Sequence, residues 1–134
     1  MPTTFGVFTV SDFTDTGYRS PVTTGVDVGH AHMVKQFTGA IEGTAYTQFS
    51  AAYSMETGIG TYVALESFEG SIDGRSGTLN FAHTATTTGA DKTAELLVIV
   101  PSSGTGELAG ITGSGSLEID EDGVHRLHVN YELD

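Results

Sequence analysis

The chain has 134 residues, with 18 glycines, no cysteine and a formal net charge of −12. That length suits one domain with a real core and excludes two, and the missing cysteines exclude disulfides and thiolate metal sites. Five basic residues against 17 acidic ones repel phosphate backbones and anionic lipid, so nucleic acid and membranes are not expected partners.

Glycine stands at about twice its usual share of about 7%, serine and threonine are abundant, and no stretch keeps a helical period. An all-β protein with tight turns is expected. The opening MPTTFG has neither a basic region nor an apolar core, so no signal peptide is expected. The longest apolar run, Leu96 to Val100, is too short to cross a bilayer as a helix. A cytoplasmic location is the simplest expectation.

Thr4 to Val10 reads as the first strand. Phe5 and Val7 share one face and Phe8 and Val10 the other, the pattern of a strand buried on both sides. Ser11 to Asp27 is polar and contains Gly17, Pro21 and Gly25. A connection this long suits a flap, carrying Tyr18 and Arg19 over a cavity mouth, or a mobile surface loop. Val28 to Phe37 is strand two, with Met33, Lys35 and Phe37 on one face and His30, His32, Val34 and Gln36 on the other. A turn over Gly39 to Gly43 leads to strand three, Thr44 to Tyr53, and a second turn, Glu56 to Gly60, follows.

Thr61 to Thr84 then reads as a hairpin. Tyr62, Ala64, Glu66 and Phe68 share one face of its first arm, and Leu79, Phe81 and His83 share one face of its second. The run Phe37-Thr-Gly-Ala-Ile-Glu-Gly43 recurs as Phe68-Glu-Gly-Ser-Ile-Asp-Gly74, with a looser echo at Leu108 to Gly113: a reused hairpin device with glycines where strands end. Ala94 to Val100 is the most apolar strand and Pro101 ends it. Ser116 to Ile119 and Val124 to Leu133 form a last hairpin turning at Asp120 to Gly123. Leu127, Val129, Tyr131 and Leu133 face inward; Arg126, His128, Asn130 and Glu132 face out. About eight short strands without intervening helices favour a single small antiparallel β-barrel, because closure removes the sheet's edges. Eight strands leave an interior filled by side chains or holding one small ligand.

The segments Phe37–Gly43, Leu65–Gly77 (LESFEGSIDGRSG) and Pro101–Gly115, which contains SSGTGELAGITGSG, together with the ending Val129-Asn-Tyr-Glu-Leu133, resemble a bacterial family, domain-of-unknown-function family 3224. The resemblance spans nearly the whole chain. It implies a barrel like that of allene oxide cyclase and no established activity; likeness to a cyclase fold is only an analogy for function. The His30-Ala-His32 triplet has no place in the resembling segments.

Several motifs carry chemistry poorly. Gly104-Thr-Gly-Glu-Leu-Ala-Gly110 has the wrong spacing for a dinucleotide loop and no βαβ unit around it. No GxSxG occurs, and Ser76 sits in a turn without an obvious base. His30 and His32 project two imidazoles from one strand face and would need a third ligand, such as His83 or Glu66, but their phase is opposite to that of Lys35 and Phe37. Lys35, Glu66 and His83 remain. Each shares a face with large apolar residues, and buried charges are costly unless paired, so the three are expected to meet inside one end of the barrel, either as an acid–base set or as a structural ion pair that closes that end.

The reading that follows is a barrel, with no cofactor or metal, that holds a small, mostly apolar organic molecule in its interior. Glu66 or His83 would act as a base and Lys35 as an electrostatic partner in an isomerisation, cyclisation or elimination. Tyr62 would donate a hydrogen bond, and Phe37, Phe68, Phe81 and Tyr131 would line the pocket. The rivals are a non-catalytic carrier, a metal-dependent enzyme using His30 and His32, and a barrel packed solid whose surface does the work. A homo-oligomer is compatible with each.

Overall fold

The computed structural model describes residues 2–88 and 91–134. Its strands are β1 (Thr3–Asp15), β2 (Val28–Gly39), β3 (Ile41–Tyr53), β4 (Gly60–Ile72), β5 (Arg75–Thr87), β6 (Lys92–Ile99), β7 (Thr112–Ile119) and β8 (His125–Glu132). Each pairs antiparallel with its sequence neighbour, and β8 returns to β1, so the sheet closes as a barrel in the expected all-β class. The single helical element among the described residues is one 3-10 turn, Gly106–Leu108. No helix among them is long and apolar enough to cross a membrane.

Alternation sets the interior. Phe8, Phe37, Phe68, Phe81, Ile99 and Val129 point inward from six different strands and are almost wholly buried. Their rings meet edge-on or tilted: Phe37 lies 5.0 Å from Phe8 and 5.8 Å from Phe68, and Phe68 lies 5.7 Å from Phe81. The recurring Phe-x-Gly-x-Ile device places Ile41 and Ile72 opposite each other in register at one end. Leu108 and Ile111, from the segment joining β6 to β7, are fully buried in the same core cluster. Asp73, in the β4–β5 turn, accepts hydrogen bonds from Thr4 Oγ1 (2.8 Å) and the Tyr131 hydroxyl (2.5 Å), tying the first and last strands to that turn. This end is closed by packing. The other end carries the 15–28, 53–60 and 119–125 connections.

Two glycines of the hairpin device differ in kind. Gly74 sits at φ +84°, in the turn, with open space where a Cβ would go. Gly70 lies within β4, where a Cβ would stand 2.0 Å from the Glu42 carbonyl oxygen of β3, so here glycine permits close strand approach.

The structure corrects several details. β1 runs on to Asp15 and is not buried on both sides: Phe5 is on the outer wall and exposed, and Val10 is exposed near the open end. A register shift between Ser11 and Thr14, with Asp12 at φ +55°, breaks the alternation there. Tyr18 and Ser20 border, with the outward-facing Val28, His30 and Ser50, a hollow of about 510 Å³ on the outer wall, and Thr16 N–H bonds the His30 carbonyl (2.9 Å). The turn after β2 is shorter than expected, since Ile41, Glu42 and Gly43 already belong to β3, and β7 starts at Thr112, four residues before Ser116.

Candidate functional site

Lys35 on β2, Glu66 on β4 and His83 on β5 all point inward and are 7%, 4% and 3% exposed. Lys35 Nζ lies 3.2 Å from each carboxylate oxygen of Glu66. Thr47, inward on β3, donates its hydroxyl to Glu66 Oε1 (2.9 Å), and the Lys35 ammonium sits 4.8 Å from the Phe8 ring centroid. Two charges in an apolar interior are therefore paired with each other and with a neutral donor, the condition under which burial is tolerated.

His83 is inward but does not join that pair. Its Nε2 lies 2.8 Å from Glu95 Oε2 on β6. The same oxygen accepts the Leu117 N–H of β7 (3.2 Å) and a bond from Lys92 Nζ (3.2 Å); Lys92 also donates to the Leu117 carbonyl. This cluster has a backbone cause. β6 pairs with β7 only at Leu97↔Gly115, Val98↔Ser114 and Ile99↔Gly113, whereas β4 pairs with β5 along its whole length. Beyond Leu97 the side chains of Glu95 and Lys92 occupy the N–H and C=O of Leu117 that a continuing ladder would have used. Both point the same way because Ala94, at φ +54°, forms a bulge with β5 and inserts an extra residue between them.

The gap is a cleft of about 750 Å³, bounded by Tyr62, Lys92, Glu95, Ser116, Leu117 and Ile119 among others. A smaller apolar pocket of about 170 Å³, between Phe49, Tyr53 and Tyr62, adjoins it at Tyr62 and Thr87. Tyr62 stacks on Phe49 (5.5 Å) and meets the His83 ring edge-on (5.2 Å). The Tyr62 hydroxyl lies 3.4 and 3.5 Å from the two imidazole nitrogens, a loose contact.

The electrostatics assign protons. Burial, only partly offset by the bond to Glu95, holds His83 below the ordinary histidine range, so it is neutral at neutral pH. Burial pushes Glu95 up, but the bonds from His83, Lys92 and the Leu117 N–H outweigh it and keep the carboxylate ionised. An ionised Glu95 must accept, so Nε2 carries the histidine proton and Nδ1 keeps a lone pair. Burial, then the charges of Glu95 and Glu66, push the Tyr62 phenol up to about 12, so it is a proton donor.

A family model for a protein of unknown function (DUF3224) matches residues 4–131. The chain belongs to the DUF3224 family. A crystal structure of a DUF3224 protein of unknown function from Shewanella oneidensis MR-1 superposes over 100% of this chain and 98% of that one, with a TM-score of 0.88 and 28% identity. No curated protein matches the chain.

Within this DUF3224 barrel the expected residues separate. Lys35 and Glu66 contact each other directly, while His83 and Tyr62 belong with Glu95. Phe37, Phe68 and Phe81 are packed in the core, and Tyr131 is bound to Asp73 at the closed end. His30 and His32 stand on the outer wall, where their phase puts them; His30 Nδ1 contacts Thr16 Oγ1 (3.0 Å). No cluster of three potential metal ligands forms among the described residues. Glu95, Lys92 and His125 were not anticipated. His125 is half-buried against Phe8 (5.2 Å), and burial followed by the charges of Lys35 and Lys92 holds it below its usual range. The signal for Glu95 was present: Glu95, Leu97 and Ile99 alternate in phase.

Proposed function

We propose that the barrel binds a small organic molecule with an apolar body and an oxygen acceptor in the cleft between β6 and β7, and acts on it by acid–base chemistry without a cofactor. The supporting observation is the chain Tyr62–His83–Glu95 at the inner side of that cleft, a phenol donor backed by a neutral imidazole and an ionised carboxylate. Tyr62 donates to the guest's carbonyl or hydroxyl oxygen. Glu95 Oε1, the oxygen that carries none of the three bonds to Oε2, is placed to take a proton from carbon. His83 positions both groups. Lys35 and Glu66 hold the electrostatic potential of the interior below them, and Phe49 supports the apolar body of the guest. Isomerisation and elimination α to a carbonyl both begin with removal of a proton from carbon while the oxygen accepts a hydrogen bond.

A set of neutral aryl ketones and enones, phenylacetone among them, incubated with the protein in D₂O tests the reading. Acid–base action places solvent deuterium at the α-carbon of at least one compound, and Tyr62→Phe and Glu95→Gln abolish it. Binding without deuterium uptake leaves a carrier. Absence of both binding and exchange across the set removes the reading.

A further inference from the structure

The outer wall holds a second feature. Above Glu42 and Glu69, near the closed end, every outward-facing position of β3, β4, β5 and β6 is uncharged, although the chain carries 22 charged residues, 5 basic and 17 acidic. Register lines these positions into rows: Gln48, Leu65, Ala82 and Val98 across one, and Ser50, Val63, Thr84 and Leu96 across the next. Tyr46, Val63, Leu65 and Leu96 are 62%, 53%, 53% and 56% exposed. Large apolar side chains exposed side by side on a sheet face, and not singly, mark an interaction surface. Beneath this wall the β3–β4 and β4–β5 ladders are unbroken, so its centre is firm.

We propose that this wall pairs with the same wall of a second copy of the chain, sheet face to sheet face about a two-fold axis. Charge selects the occupant. Two copies at −12 each repel over most of their surfaces, and this wall brings no charge against charge. Aligned sheets pack about 10 Å apart through interdigitating side chains, which the Tyr46, Leu65 and Leu96 rows supply. A stable interface removes about 800 Å² from each partner, close to a tenth of the 7708 Å² of this chain. That is within reach of four adjacent strands.

Sedimentation equilibrium of the full chain supplies the test. The wild type is expected at twice the 14.0 kDa chain mass at micromolar concentration. Raising the salt should tighten association, because it screens the residual like-charge repulsion. Leu65→Glu sets two carboxylates against each other across the axis and should weaken pairing by about 100-fold or more. Thr9→Glu, on the outer face of β1 and away from this wall, should leave it unchanged, and both variants should keep the wild-type circular dichroism. If Leu65→Glu fails to fold, Leu65→Ser, which removes the apolar contact without adding charge, should still raise the dissociation constant. A monomeric wild type overturns the proposal. So does a dimer indifferent to both Leu65 variants, or a wild-type monomer that floats with neutral lipid vesicles.

Discussion

Two lysine–glutamate pairs belong to the same barrel and stand in different surroundings. Lys35–Glu66 sits where β2, β3 and β4 are paired without interruption, and both members are over nine-tenths buried. Lys92–Glu95 sits where β6 and β7 part, bonds the backbone of Leu117 and borders a cleft. Identical side-chain chemistry is sealed in one place and reachable in the other, and the wall decides which. A carboxylate inside a complete ladder is sealed from solvent; one that substitutes for a missing ladder borders open space.

The sharpest way to break this contrast is to remove each carboxylate's charge in turn. Glu66→Gln leaves the Lys35 ammonium buried and unpaired and should cost about 3–5 kcal/mol by chemical denaturation. The double variant Lys35→Met, Glu66→Leu should recover most of that loss. If Glu66→Gln is as stable as the wild type, the sealed pair is not structural. The tight wall around it comes next. Gly70→Ala drives a Cβ into the Glu42 carbonyl and should cost about 2–4 kcal/mol, more than the loss of about 1–2 kcal/mol from Gly74→Ala, where only the positive φ opposes the substitution. Equal melting temperatures for the two would mean that strand approach does not matter at Gly70.

At the seam the expected effects are smaller. Glu95→Gln should cost about 1–2 kcal/mol, because the amide oxygen retains acceptor capacity at a part-exposed site. Hydrogen exchange at the Leu117 amide should quicken while that at Phe68 stays slow. Protection unchanged at Leu117 would show that Glu95 does not hold the seam. The pH dependence is smallest. Because the folded His83 pKa is depressed, the unfolded chain binds the additional proton, so this contribution is complete above about pH 6.5 and declines as pH falls below it, by at most about 1.4 kcal/mol per unit. Denaturation midpoints between pH 7.5 and 5.5 should therefore fall more steeply for the wild type than for His83→Gln; parallel lines would mean that His83 titrates as in an unfolded chain.

The period-two pattern made most of this legible. Lys35, Glu66 and His83 were placed inward by strict alternation because β2, β4 and β5 run straight through those positions. What was not legible lies beside irregular backbone. Ala94 at positive φ brings Lys92 onto the same side as Glu95, and no rule of alternation puts residues three apart on one face. Asp12 at positive φ similarly brings Phe13 against Phe49 (6.4 Å), where the sequence suggested only the start of a polar loop. Neither residue is glycine, so neither bulge announced itself. Phe5 misled for another reason: its apolar phase suggested burial, but it lies on the outer wall beside His128 (5.9 Å).

If chemistry belongs to the seam and not to the packed interior, amide shift mapping of the ¹⁵N-labelled protein with phenylacetone and its relatives will locate it there. Saturable shifts are expected at Tyr62, Glu95, Ser116 and Leu117, with Phe37, Phe68 and Phe81 unmoved. Shifts centred on those three phenylalanines and Glu66, with the seam silent, would overturn the proposed site.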